Sequence, residues 1–133
     1  MSTQSYRQVE AWKHAHELVL IVYKLTSSFP EEEKFGLVSQ MRRAAVSVPA
    51  NIAEGYRRIG DKDKLRFFNI AQASLSEVDY FLLLTNELGF ADTASAQALA
   101  DRTGQLLVAY SKPIARRVKE SPTEYRVDEL TQD

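Results

Sequence analysis

Apolar residues recur at helical spacing in four long segments of this 133-residue chain, and no stretch alternates with period two for long enough to favour a strand. Pro30, Gly60 and Gly89 lie between the segments, and such residues commonly end helices. The pattern therefore predicts an all-α fold. The expected helices cover about residues 9–27, 35–58, 64–88 and 93–119, with Asp61 or Asp63 capping the third and Asp92 or Thr93 the fourth.

The composition is typical of one soluble domain, with 44% hydrophobic and 26% charged residues. The chain contains no cysteine, which excludes disulfides and Cys-ligated metals. Its first residues lack the apolar core of a signal peptide, and its longest aliphatic run is too short to cross a bilayer. We predict a cytoplasmic protein with no membrane partner. Its expected parts are a polar N-terminal arm (1–8), a helical domain (9–119) and an acidic, flexible tail (120–133).

The net charge of −1 hides segments of opposite sign. Residues 120–133 carry five acids and one arginine, which leaves residues 1–119 with a net charge of +3. Five bases and no acid lie between Arg102 and Lys119, and a second basic cluster spans residues 42–66. The acidic tail is expected to compete with phosphate for these bases.

The first and third helices each carry two apolar stripes side by side. One interpretation is a bundle core plus a contact with another subunit, and we favour it. The alternative is a helix packed between two neighbours of the same bundle. The stripes are Val9, Trp12, His16, Val19 and Tyr23 beside Ala11, Ala15, Leu18, Val22 and Leu25; and Phe68, Ala71, Leu75, Val78 and Leu82 beside Phe67, Ile70, Ser74, Glu77, Phe81, Leu84 and Leu88.

The second helix contains Pro49, which removes a backbone hydrogen bond at a cost of about 3 kcal/mol in a regular helix. A kink or a break is therefore expected.

In the third helix, Glu77 occupies an otherwise apolar stripe and would be costly to bury alone. We hypothesise a buried or half-buried polar network that fixes helix register or subunit orientation, formed by Arg43, Ser47, Asn51, Glu54, Ser74 and Glu77. The alternative is a solvated Glu77 at the edge of a groove.

Two stretches carry a resemblance to a known family: WKHAHELVLIVYKLTSSFPEEEKFGLVSQMRRAAVSVPANIAEGYRR and FFNIAQASLSEVDYFLLLTNELGF. They resemble the bacterial four-helix bundle proteins first noticed as reading frames in intervening sequences of 23S ribosomal RNA genes. The resemblance is strong over residues 9–88, and it rests on the helical pattern alone over residues 91–119. It implies an antiparallel up-and-down bundle that assembles into a ring-like homo-oligomer, pentameric in known relatives, and it implies no enzyme.

A distant branch of this fold serves as the accessory protein of diversity-generating retroelements, where a basic pentamer binds nucleic acid and the reverse transcriptase. Antiparallel packing would bring basic residues at the junction of the second and third helices to one end of the bundle. A ring repeats that patch, so binding of RNA or DNA would be salt-sensitive and weakly sequence-specific. The candidate contacts are Arg57, Arg58, Lys62, Lys64, Arg66, Arg116 and Arg117. The alternative is a solubilising surface at helix ends.

Catalysis is not expected, because no known catalytic or nucleotide-binding motif is present. His14 and His16 are the only histidines, and residues at i and i+2 point to different sides of a helix. No metal site and no cofactor are therefore predicted, and His16 is interpreted as a hydrogen-bonded residue at the core edge. The sequence favours a non-enzymatic homo-oligomer with an accessory role in binding nucleic acid. The alternative is a structural or adaptor ring that binds another protein and no nucleic acid.

Overall fold

A computed structural model describes residues 5–121, which contain four long helices and no strand. The prediction of an all-α fold is confirmed. The predicted tail lies outside the described residues except for Glu120 and Ser121, as do the first four residues of the predicted arm. The elements are a 3-10 turn Tyr6–Gln8, α1 Glu10–Thr26, a 3-10 turn Glu31–Glu33, a π-helical turn Lys34–Val38, α2 Ser39–Arg57, α3 Asp61–Glu87 and α4 Ala94–Glu120.

The four helices form an up-and-down bundle. Each helix packs against the next along the chain, and α4 packs back against α1, which closes the cycle. At one end the α2–α3 turn lies close to the last turns of α4, and at the other end Phe29 contacts Phe90 with ring centroids 5.3 Å apart. Within the described residues, no helix is long and apolar enough to cross a membrane.

The core is built from one stripe of each helix. In α1 and α3 it is the stripe that starts at Ala11 and the stripe that starts at Phe68, and both are almost fully buried. Helix α2 contributes small side chains, which allow close approach of its neighbours. The buried residues of α2 are Met41, Ala44, Ala45, Val48, Pro49, Ile52 and Gly55, and those of α4 are Ala96, Ala100, Thr103, Leu107 and Ile114.

Two helix boundaries differ from the sequence predictions. Helix α3 begins at Asp61 with Gly60 as its N-cap, so neither aspartate caps it. Asp61 and Asp63 instead lie in the first turn, where negative side chains interact favourably with the helix dipole. A π-helical turn precedes α2 where regular α-helix was expected from Phe35. Helix α2 continues through Pro49, so the alternative of a break there is wrong, and the kink stays a prediction.

Candidate nucleic-acid interface

The predicted basic end of the bundle is largely paired with acids. Arg117 of α4 binds Asp61 at the start of α3 through two hydrogen bonds, in which Nε and a terminal nitrogen donate to the two carboxylate oxygens over 2.8 and 3.1 Å. These hydrogen bonds, more than the charge of Arg117, hold the pKa of Asp61 below its ordinary value. Arg117 therefore ties α4 to the α2–α3 turn, and most of its charge is neutralised.

Two further candidates, Arg58 and Arg66, contact Asp63 and Phe67. Arg66 donates to Asp63 over 3.0 Å, and Arg58 donates to Glu54 over 2.9 Å while lying 3.8 Å from Asp63. Both guanidinium groups also lie 4.5 Å from the centre of the Phe67 ring, within the range of cation–π attraction. Phosphate would have to compete with these contacts at either arginine.

Lys64 has a structural role at the end of α2. Its ammonium donates to the carbonyl oxygens of Tyr56 and Gly55 over 2.7 and 3.3 Å, and the last carbonyls of a helix have no partner inside the helix. Arg57 lies 5.5 Å from the ring of Tyr6, in the 3-10 turn before α1. Lys62 is exposed in the first turn of α3. The structure thus brings six of the seven candidates to this end, around the α2–α3 turn and the end of α4.

The seventh candidate, Arg116, belongs to a different surface that runs along α4. Arg102, Lys112, Arg116 and Lys119 are all exposed on the side of α4 that faces away from the core. Their spacing, completed by Gln105 and Ala109, follows alternating steps of three and four residues, which places them on one stripe. We call these four cations the α4 basic ridge. At 1.5 Å per residue the ridge is about 25 Å long.

The cations of the α4 basic ridge have no carboxylate partner within residues 5–121; Arg102 donates to the amide oxygen of Gln105 over 3.4 Å. Among the bases of α4, sequence reasoning selected only Arg116 and Arg117 as contacts. In the structure Arg117 pairs with Asp61, whereas Arg102, Lys112 and Lys119 share an exposed face with Arg116. Helical register alone could have found these three residues, because they share one face of a helix that was already expected.

The predicted polar network is present in part. Ser47 of α2 and Ser74 of α3 are joined through their hydroxyl oxygens over 2.8 Å, and the Asn51 amide donates to the carbonyl and hydroxyl oxygens of Ser47 over 2.8 and 2.9 Å. Arg43 and Glu77 are exposed, and neither forms an ion pair with a described residue. Within one chain Glu77 is therefore solvated, as the alternative interpretation expected, because water can hydrate the exposed charges of Glu77 and Arg43. Glu54 pairs with Arg58 instead.

The second apolar stripes of α1 and α3 lie mainly at the surface. A shallow cleft of about 250 Å³ lies between α1 and α2, lined in part by Trp12, Val19 and Val46. His16 is exposed and stacks on Trp12 with ring centroids 5.0 Å apart, and the expected hydrogen bond is not found among the described residues. On α3, four apolar side chains are between 39% and 56% exposed: Ile70, Tyr80, Leu83 and Leu88.

The geometry offers no candidate metal centre in the described part of the chain, where no three His, Asp or Glu side chains are placed so that they could hold a metal ion. Comparison with protein families then gives a match to the 23S rRNA-intervening sequence protein over residues 7–110. The chain belongs to this family. The match contains α1, α2 and α3 and ends at Tyr110 in α4, so Lys112, Arg116 and Lys119 lie beyond the matched segment.

One solved structure with a similar fold is a protein of unknown function from the S23 ribosomal protein family of Bacteroides thetaiotaomicron. It is 23% identical, superimposes with a TM-score of 0.70, and is matched over 77% of this chain and 95% of its own. At this identity the likeness establishes the fold and nothing further. A search of curated proteins finds no match.

Proposed function

We propose that this member of the 23S rRNA-intervening sequence protein family is a non-enzymatic, homo-oligomeric accessory protein that binds nucleic acid. The observation that carries the proposal is the α4 basic ridge, a row of four exposed cations without carboxylate partners among the described residues. Arg117 already forms an ion pair with Asp61, whereas the exposed ridge cations are available to bind phosphate. A surface of this kind recognises a regular array of phosphates and not a reacting bond.

The ridge suits the backbone of a nucleic acid in length and in chemistry. Lysine ammonium groups and arginine guanidinium groups bind phosphate oxygens, and each phosphate neutralised makes the negative slope of log K against log salt steeper by about 0.9 for duplex DNA. We expect the ridge cations to contact mainly phosphates, which carry no sequence information, so binding should depend little on sequence. Several copies of the ridge in one assembly would raise the avidity without any new contact.

Self-association is supported by the exposed apolar side chains of α1, α2 and α3. Trp12 and Val19 flank the cleft at α2, and Ile70 and Leu88 lie partly exposed on α3. Two different faces, one at the α1–α2 cleft and one on α3, are suited to a head-to-tail contact, and such contacts form a ring when the rotation between subunits closes. The family resemblance favours a pentamer. A structural or adaptor ring is the second candidate, because the same apolar side chains would also serve a protein partner.

The test combines assembly mass with binding to a DNA duplex and to a structured RNA. The variant replaces Lys112, Arg116 and Lys119 by Gln. Its control replaces Arg7, Lys13 and Lys24, which lie in or before α1, and makes the same change in net charge. We expect the ridge variant to keep the mass of the wild-type assembly and to lose at least about tenfold in affinity at moderate salt. Its plot of log K against log salt should be shallower by about 2–3.

Binding that is unchanged in the ridge variant, or lost equally in the control, would contradict the placement of the interface on α4. An oligomer that binds neither nucleic acid would favour the adaptor. A monomeric mass would remove the assembly from the proposal.

A further inference from the structure

A second cleft lies between α1 and α2 at the opposite end from the α2–α3 turn. It measures about 560 Å³ and is lined by Tyr23 of α1, by the π-helical turn Lys34–Val38 and by the first turns of α2. Phe35, in the π-helical turn, is 89% exposed, whereas Val38 of the same turn is buried. Burying a phenylalanine side chain stabilises a protein by about 1.5–3 kcal/mol, and this chain forgoes that gain at Phe35. Short π-helical segments are rare and often mark functional sites.

Cations accompany both aromatic rings of this cleft. The Lys34 ammonium lies 5.6 Å from the centre of the Phe35 ring, and the Arg42 guanidinium lies 4.5 Å from the centre of the Tyr23 ring. Arg42 is held in place, since its Nε donates to the Thr26 hydroxyl over 2.9 Å and a terminal nitrogen donates to the Tyr23 carbonyl over 3.3 Å. The cleft therefore presents rings and positive charges in a preformed arrangement.

A third cation, Arg43, also lines the cleft, is exposed and has no partner among residues 5–121. We infer that this cleft binds a segment of single-stranded nucleic acid, with a base stacked on Phe35 and neighbouring phosphates contacted by Lys34 and Arg43. The inference rests on the proposed function and adds to it the class of nucleic acid. Stacking on an exposed ring accepts any base, but it requires a base whose face is free, and paired bases in a duplex hide their faces.

Acidic residues near the cleft reduce its electrostatic attraction for phosphate. Glu31, Glu32 and Glu33 precede Lys34, and Glu31 lines a neighbouring cleft that also touches Lys34 and Arg42. The two cations thus border both clefts, and the net attraction for phosphate is smaller here than along the α4 basic ridge. Stacking is therefore the main contribution, and contacts at Phe35 should depend little on salt. Phe35 is 89% exposed, and an exposed aromatic ring is what the stacking of a base requires.

The experiment measures fluorescence anisotropy of a labelled oligodeoxythymidine of about 12 nucleotides, within the range of single-strand site sizes, and of a duplex of equal length. The variants of the full chain are Phe35→Ala, Phe35→Trp and, as a control, Val108→Ala, which removes a 55% exposed side chain from α4 outside the α4 basic ridge. We expect Phe35→Ala to weaken single-strand binding by about 5- to 150-fold, the loss of one stacked base, at both low and high salt. Phe35→Trp should preserve binding, and Val108→Ala should not change it.

Three results would overturn the inference. In the first, Phe35→Ala binds the single strand as tightly as the wild type; if the duplex is still bound with a steep salt dependence, the proposed function survives alone. In the second, Phe35→Ala changes the mass of the assembly, which would make Phe35 a contact between copies. In the third, the wild type binds no single strand. A loss confined to the single strand in Phe35→Ala, with binding unaffected by the ridge variant, would instead support the inference and contradict the ridge.

Discussion

Gly55 offers the sharpest test of how α2 and α3 pack. A methyl carbon added at this buried glycine would lie 2.5 and 2.8 Å from two ring carbons of Phe68 and 3.1 Å from the carbonyl oxygen of Lys64. Phe68 is 1% exposed and has little room to move. Glycine in a helix is less favourable than alanine by about 1 kcal/mol, so a close approach of the two helices explains its presence here.

The expected effect of Gly55→Ala is the difference between two opposing contributions. Overpacking a core costs about 1–3 kcal/mol, and the alanine recovers about 1 kcal/mol of helix propensity. Because the added carbon would lie only 2.5 Å from a buried ring, we take the upper part of the overpacking range, about 2–3 kcal/mol. The expected net loss is then about 1–2 kcal/mol in the free energy of unfolding, or about 3–10 °C in Tm for a domain of this size. Gly104→Ala is the matched control in α4, because its nearest contact, a methyl carbon of Leu75, would lie 3.4 Å away. It should raise stability by up to about 1 kcal/mol.

The assay is thermal and urea unfolding followed by far-ultraviolet circular dichroism, at one protein concentration because self-association shifts Tm. Phe68→Leu tests the cause directly, since it gives the new methyl group space and should reduce the cost of Gly55→Ala in the double variant. A Gly55→Ala protein as stable as the wild type would refute the close approach. Equal losses at Gly55 and Gly104 would show that the effect does not come from the Phe68 ring.

Three further outcomes follow from contacts and charges described above. Arg117 lowers the pKa of Asp61, so this pair stabilises the folded protein fully above the unfolded-state pKa of about 3.9. The stabilisation is lost as the pH falls through the lower pKa of the folded state. Asp61→Asn should therefore lose less Tm in acid than the wild type does. Alanine substitutions at Ser47 and Ser74 should show a coupling energy of about 0.5–1.5 kcal/mol in a double-mutant cycle, and additive losses would rule out their hydrogen bond. Deleting residues 122–133, which carry four acids and one arginine, should raise duplex affinity at low salt, and no gain would exclude screening of the ridge.

The sequence predicted the fold well and the site only in part. Periodicity identified the four helices, because a core-facing stripe must repeat every three or four residues whatever the details of packing. It also marked Ser47, Asn51 and Ser74 as a polar cluster, which the hydrogen bonds confirm. It placed Glu77 in the same network, and the helical wheel could not reveal that this carboxylate stays in water.

The basic surface shows the limit most clearly. A count of charges treats Arg116 and Arg117 as equivalent neighbours, yet one faces solvent and the other pairs with Asp61, 56 residues away in the chain. Whether a cation is paired depends on side chains brought together by packing, and no local pattern encodes that. The π-helical turn that exposes Phe35 is another such feature, since the fit of the α1–α2 connection onto the core determines it.

By itself, the sequence determined four amphipathic helices, the core face of each, and an excess of positive charge before the tail, because these depend on residue type and spacing along one helix. The tertiary structure alone decided which cations remain available to phosphate, which aromatic rings remain exposed, and which glycine a neighbouring ring requires. These depend on distances between residues far apart in the chain, and only the packed bundle sets those distances.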